Sequence, residues 1–151
     1  MNSLVVRKAN SEDLDALVPL FDGYRVFYGR ASDPAGAREF LADRIAGSES
    51  IIFIASKNGE AVGFTQLFPS FSSATMARTY ILNDLFVGES FRNQGIGRQL
   101  IDAAVEFGRL DGAVRLTLST AVDNYAAQEL YCKSGWKQDE QFKVFHFSLL
   151  A

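Results

Sequence analysis

A mixed α/β fold is the class this chain predicts, on three observations. Short β-rich runs alternate with helix-periodic segments through its second half. Asn58-Gly59 marks a tight hairpin between two strong strand patterns. A pair of glycines opens a helix after a strand and a short polar loop. Alternating strands and helices require at least one parallel strand pair, because a helix between two strands carries the chain back to the same end of the sheet.

Each element has its own signal. Leu4 to Lys8 alternates as a first strand. Asn10 or Ser11 caps a helix with Glu12, Asp13 and Asp15 in its first turn, and Leu14, Leu17, Val18 and Phe21 form its apolar stripe. That helix fades near Gly23, among Phe21, Tyr24, Phe27 and Tyr28. Asp33-Pro34 starts a second helix, Ala35 to Ile45, with Phe40, Leu41 and Ile45 facing inward. Strands are expected from Ser50 to Lys57, Glu60 to Phe68 and Thr79 to Val87, with residues 69–77 as a loop or frayed strand end. A polar loop, Glu89 to Gln94, precedes a helix whose face is Ile96, Leu100, Ala103, Ala104, Phe107 and Leu110. Ala113 to Thr120 alternates as a strand, Asn124 to Lys133 reads as a helix stopped by Ser134-Gly135, and Trp136 to Ser148 holds two final strands. The expectation is about seven strands and four helices in a single domain, residues 1–151.

Composition narrows the function. Of 151 residues, 48% are hydrophobic and 22% charged, which supports a packed core. Net charge −3 argues against nucleic acid as a partner and favours small cationic substrates. Cys132 is the one cysteine, so no intrachain disulfide can form, and one cysteine with one histidine, His146, leaves no zinc cluster. No apolar run is long enough for a membrane span, and the N-terminal run is too short for a signal peptide, so a cytoplasmic protein is expected.

The informative stretch is Leu82 to Ile101, LNDLFVGESFRNQGIGRQLI. The first turn of a helix has main-chain N–H groups without internal partners, and the helix dipole adds to their pull on anions. Gly95 and Gly97 let a phosphate approach the backbone, and Arg92 and Arg98 add forked donors. This reads as a pyrophosphate cradle. A Walker loop is excluded, since no Gly-Lys-Ser/Thr follows, and the dinucleotide fingerprint lacks its third glycine.

Arg92-x-x-Gly95-x-Gly97, preceded by Asp84-Leu85-Phe86-Val87, resembles the acetyl-CoA motif of the GNAT N-acetyltransferase superfamily. Asn124, Ala127, Leu130 and Tyr131, followed by Ser134-Gly135-Trp136, resemble its next motif, and the matching stretch runs from about Tyr80 to Trp136. Within the superfamily, the aromatic N-terminal region and the LNDLFV strand look most like the diamine and histone/polyamine branch, although Asn83 stands where the diamine enzymes tend to be acidic.

The resemblance implies a largely antiparallel, twisted sheet with a splayed central parallel pair. It implies acetyl-CoA as co-substrate, no metal, and an acetyl group passed to a primary amine of a small molecule or peptide. Leu85, Phe86 and Val87 would pair with the pantetheine arm, and Asn93, Gln94, Gly95, Ile96, Gly97 and Arg98, with Arg92, would hold the pyrophosphate. Asn124 and Tyr131 would sit beside the sulfur. A homodimer through the aromatic final strands is a further analogy.

The chemistry needs a neutral amine and a proton for the departing thiolate. Tyr131, whose phenol has an unperturbed pKa of about 10, suits the second task. Asp84, a carboxylate among Leu82, Leu85 and Phe86, suits amine binding or deprotonation; on strand alternation alone it is equally a solvated or arginine-paired carboxylate. Tyr24, Phe27 and Tyr28, with Arg25 and Arg30, are expected to select the acceptor, and Asp22, Glu39 and Asp43 are further carboxylates nearby in sequence. A Cys132–His146 acyl-enzyme lacks a third, orienting group. Two rivals remain open from sequence: a non-catalytic CoA sensor and a dinucleotide-binding domain.

Overall fold

The computed structural model describes residues 3–150. The chain divides into two compact units, residues 1–119 and 120–151.

The first unit runs β1 (Leu4–Lys8), α1 (Leu14–Phe27), α2 (Pro34–Ala46), β2 (Ile51–Lys57), β3 (Glu60–Ser72), β4 (Ala77–Val87), α3 (Ile96–Leu110) and β5 (Arg115–Thr117). The strands form one sheet in the order β1-β2-β3-β4-β5. The first four are antiparallel neighbours, and β5 lies parallel to β4. Asn58 and Gly59 both have positive φ, 51° and 82°, as the tight turn between β2 and β3 requires.

Two apolar clusters fix the helices. Leu17, Val18, Leu20 and Phe21 of α1 and Ala37 and Leu41 of α2 pack on Ile52, Ile54 and Phe64 of the sheet. Ile96 and Leu100 of α3 pack with Ala55 and Val62. Before α1 a single 3₁₀ turn is closed reciprocally: Asn10 Oδ1 accepts from Glu12 N at 2.8 Å, and Asp13 Oδ2 accepts from Asn10 N at 2.8 Å.

The sheet has five strands among the described residues, not seven. Trp136 to Ser148 forms no strand; its apolar side chains, Phe142, Val144, Phe145 and Phe147, lie exposed. Alternation is a property of one segment, but a strand exists only where a neighbour completes its hydrogen-bond ladder, and this segment has none among the described residues. The parallel pair is consequently at the sheet edge rather than at its centre. β3 is longer than expected, passing through Pro69 to Ser72. Beyond Leu67 its only strand neighbour among the described residues is β4, and proline is tolerated on such an edge. β5 is shorter than the expected strand, because pairing with β4 covers only Thr79–Ile81.

β4 departs from regular pairing in two places. Leu82 faces Leu67 and Asp84 faces Gln66, so Asn83 is an extra residue, a β-bulge. From Leu82 to Val87 the strand has no strand neighbour on its β5 side among the described residues. On its other side it is packed tightly: a Cβ added at Gly63 would lie 2.9 Å from the Phe86 carbonyl oxygen and 3.3 Å from Leu100 Cδ1. Gly63→Ala should therefore push β4 from β3 and destabilise the fold by about 1–3 kcal/mol, the usual cost of overpacking. Urea denaturation checks this, and an unchanged midpoint would mean that β4 yields freely.

The second unit contains α4 (Tyr125–Lys133). Asn124, expected inside this helix, is its N-cap; its side chain accepts from Ala127 N at 3.3 Å. Gly135, at φ 93°, turns the chain after α4, and Trp136 N donates to the Tyr131 carbonyl at 3.0 Å.

Candidate active site

β4 leads into the glycine turn. After Val87 a 3₁₀ turn, Glu89–Phe91, is followed by two left-handed residues, Asn93 at φ 62° and Gly95 at φ 80°. Gly95 is the N-cap of α3 and has no side chain to cap it. Its carbonyl accepts from Gln99 N, the first bond of the helix, so the N–H groups of Ile96, Gly97 and Arg98 precede the helical ladder. Such a terminus fits an anionic group, and the open edge of β4 beside it offers main-chain groups to an extended ligand.

The side chains of the turn are more committed than the sequence suggests. Arg92 donates through Nε to the Val87 carbonyl at 3.0 Å, and its guanidinium lies over the rings of Phe27 and Phe86 at 5.4 and 5.5 Å. It ties the turn to the end of β4. Arg98 Nε pairs with Asp102 at 3.2 Å, one helical turn on. Lys57 Nζ donates to Gln94 Oε1, and a cavity of about 540 Å³ beside it is lined by Leu4, Lys57, Gln94, Ile96 and Gln99. Lys57 escapes sequence reasoning because it reaches the turn only through the β2 register, 37 residues away in the chain.

A second cavity, about 480 Å³, opens between α1, α2 and the bulged part of the sheet. Phe21, Tyr24, Tyr28, Phe40 and Phe68 give it aromatic walls. Its buried end is Asp84, 2% exposed, beside Gln66, which is fully buried. Gln66 Nε2 donates to Asp84 Oδ2 at 2.6 Å, and Asn83 Nδ2 donates to Asp84 Oδ1 at 2.8 Å. Ser50 Oγ donates to Gln66 Oε1 at 2.7 Å, which sets that amide so that its nitrogen faces the carboxyl. Tyr24 Oη donates to the Asn83 carbonyl at 3.0 Å. Burial pushes the Asp84 carboxyl above its ordinary value, against the opposing pull of hydrogen bonds from Asn83, Gln66 and Tyr24. A titratable carboxyl kept hydrogen-bonded at the closed end of a cavity is how proton-transfer groups are arranged.

Strand alternation puts Asp84 on the buried face with Tyr80 and Leu82, with Asn83 exposed between them, and the bulge sets Gln66 opposite Asp84. The solvated or arginine-paired alternatives are thereby removed. Tyr24 and Tyr28 line this cavity, as do Arg25 and Arg30. Phe27 does not; it stacks edge-on against Tyr28 and beneath Arg92. Asp22 is spent on structure, accepting from Ser32 Oγ and from Asp33 N, both at 2.7 Å.

A family model described as the acetyltransferase (GNAT) family matches residues 17–136. The chain belongs to the GNAT acetyltransferase family. A Bacillus subtilis (strain 168) protein called uncharacterized N-acetyltransferase YhfO is 47% identical over 137 residues, covering 91% of this chain and 92% of the relative. A crystal structure of a probable acetyltransferase, 40% identical, superposes with a TM-score of 0.93 over 97% of this chain and 99% of that one. The aminoglycoside N-acetyltransferase AAC(6')-Iy, solved in complex with CoA, shares the fold at a TM-score of 0.83 and 20% identity, covering 99% of this chain and 97% of that one. This GNAT protein is thus an acyltransferase of the N-acetyltransferase type.

Within the GNAT chain, β4 carries both halves of the first unit's candidate site: Asp84 in the aromatic cavity, then Leu85, Phe86 and Val87 on the open edge leading into the glycine turn. In the second unit, Tyr131 packs on Trp136, ring centroids 6.1 Å apart. Gln128 Nε2 holds the preceding loop through the Ala121 and Val122 carbonyls at 3.0 and 3.1 Å. Cys132 and His146 are both exposed.

Proposed function

We propose that this chain transfers an acetyl group from acetyl-CoA to a primary amine of a small molecule or peptide, by direct attack and with both units serving as one transferase domain. The observation that carries the reading is Asp84: a buried, hydrogen-bonded carboxylate at the closed end of an aromatic cavity, on the strand that runs into an uncapped, glycine-led helix.

Acetyl-CoA supplies the acyl group as a thioester. Its diphosphate suits the N–H groups of Ile96, Gly97 and Arg98, which precede the helical ladder, and its pantetheine arm suits the unpaired edge at Leu85, Phe86 and Val87. Asp84 binds the ammonium of the acceptor and takes its proton, directly or through water. The neutral nitrogen then forms its bond to the acyl carbon and sheds its extra proton to water as the carbon–sulfur bond breaks, with a main-chain N–H near Val87 meeting the charge on oxygen. Tyr131, in the last turn of α4, gives its phenolic proton to the departing sulfur and regains one from water, and Asn124, whose oxygen caps the opposite end of α4, steadies that helix. The family resemblance supports the roles of Tyr131 and Asn124, together with a homodimer through the exposed aromatic segment near Phe145. The single cysteine supports a cytoplasmic setting.

The test is thiol release from acetyl-CoA across a panel of amines. Coenzyme binding without release across a broad panel would favour a sensor. Tyr131→Phe should lower kcat by about 10²–10⁴-fold, the span of general acid catalysis, with far less effect on coenzyme affinity. Equal losses in both quantities would remove the acid role.

A further inference from the structure

The aromatic cavity is lined by charged groups of both signs. At the buried end is the Asp84 carboxyl. Its lining also holds the half-buried Arg25 and the exposed Arg30 and Asp33. Two of these three groups are engaged. Asp33 caps α2, accepting from Gly36 N at 3.0 Å, so its charge faces a helix N-terminus. Arg25 Nη1 donates to the Ala31 carbonyl at 3.0 Å. Arg30 has no ion pair or side-chain hydrogen bond among the described residues.

The loop that carries Arg30 is fastened on both sides. Arg30 N donates to the Arg25 carbonyl at 2.9 Å, Arg25 holds Ala31, and Asp22 holds Ser32 and Asp33. Hydrogen bonding to Ser32, then to Asp33, keeps Asp22 below its ordinary pKa. A loop fixed in this way presents its one unengaged guanidinium at the cavity mouth at little further cost in entropy. Guanidinium groups are suited to carboxylates, which they engage through two parallel hydrogen bonds.

We infer that the acceptor is a zwitterion of amino-acid type: its amine faces Asp84, its carboxylate pairs with Arg30, and an apolar or aromatic side chain lies along the walls formed by Phe21, Tyr24 and Phe40. This inference rests on the proposed transferase activity and names its substrate class. A polycation would meet Arg25 and Arg30 on entry and would leave Arg30 unmatched.

Matched acceptor pairs test it: phenylalanine against phenethylamine, and tryptophan against tryptamine, each with acetyl-CoA and the full chain. The wild type should favour the carboxylate-bearing member by at least about tenfold in kcat/KM, as expected for one charge-assisted pair. Arg30→Gln should collapse that ratio mainly through KM, and Arg30→Lys should restore part of it. Preference for the decarboxylated amines or for a polyamine, or equal losses for both members in Arg30→Gln, would overturn the zwitterion while leaving the transferase reading intact. No turnover of any amine by folded, coenzyme-bound protein would overturn both.

Discussion

Gly97→Glu should weaken acetyl-CoA binding by about 100-fold or more, equivalent to roughly 2.7 kcal/mol. Gly97 is the second residue of α3, behind an N-cap with no side chain of its own. A glutamate there would place its bulk and its charge where a diphosphate would meet the first-turn amides, and like charges brought close in a partly desolvated site repel strongly. The fold should not suffer. Glutamate is a better helix former than glycine, and a carboxylate in the first turn is favoured by the helix dipole. Calorimetry should therefore show lost affinity beside an unchanged or higher melting temperature. Unchanged affinity would mean that the diphosphate is held elsewhere.

Asp84→Asn should lower kcat/KM by about 10²–10⁴-fold at neutral pH, because the replacement can neither accept the proton of the ammonium nor carry its counter-charge. The pH profile makes this specific. The folded-state pKa of Asp84 is raised by burial, so the acid limb of kcat/KM in the wild type should lie above the ordinary carboxylate range and vanish in the variant. Stability carries a second signature. A carboxyl with a raised folded pKa binds more protons folded than unfolded, so its contribution falls as pH rises from 3.8 through the raised value. Asparagine removes that dependence. It also turns one N–H toward Gln66 or Asn83, both already donors, which costs stability at every pH. The variant should accordingly gain on the wild type as pH increases, an outcome that thermal melts across pH would show or refute.

The legible parts of this protein were those set by local chemistry. Asn58-Gly59, the Asp33-Pro34 helix start and the glycine pair before α3 specify their backbone within a few residues, and each element formed where its residues imply. The illegible parts depend on distant neighbours. Trp136 to Ser148 has the alternation of strands but no ladder partner among the described residues, and alternation alone cannot supply one. Pro69 looked like a strand end because the edge that tolerates it is defined by where β2 stops. The same division runs through the candidate site. Asp84 is conspicuous as a carboxylate among apolar residues, but its pairing with Gln66 depends on a bulge in the register, and Gln66 itself carries no sequence signal. From the sequence, Phe27 and Arg92 read as separate acceptor and phosphate ligands. In the fold they pack on each other, a long-range pairing that no linear motif records.

The most direct examination of the coenzyme site is an amide-resolved NMR titration of the labelled protein with CoA and, separately, with pantetheine, which lacks the diphosphate. Saturable shifts centred on the N–H groups of Ile96, Gly97 and Arg98, produced by CoA and absent with pantetheine, are the expected result. If those three amides stay unmoved while CoA saturates the protein, its diphosphate is bound somewhere else and the account of this site is wrong.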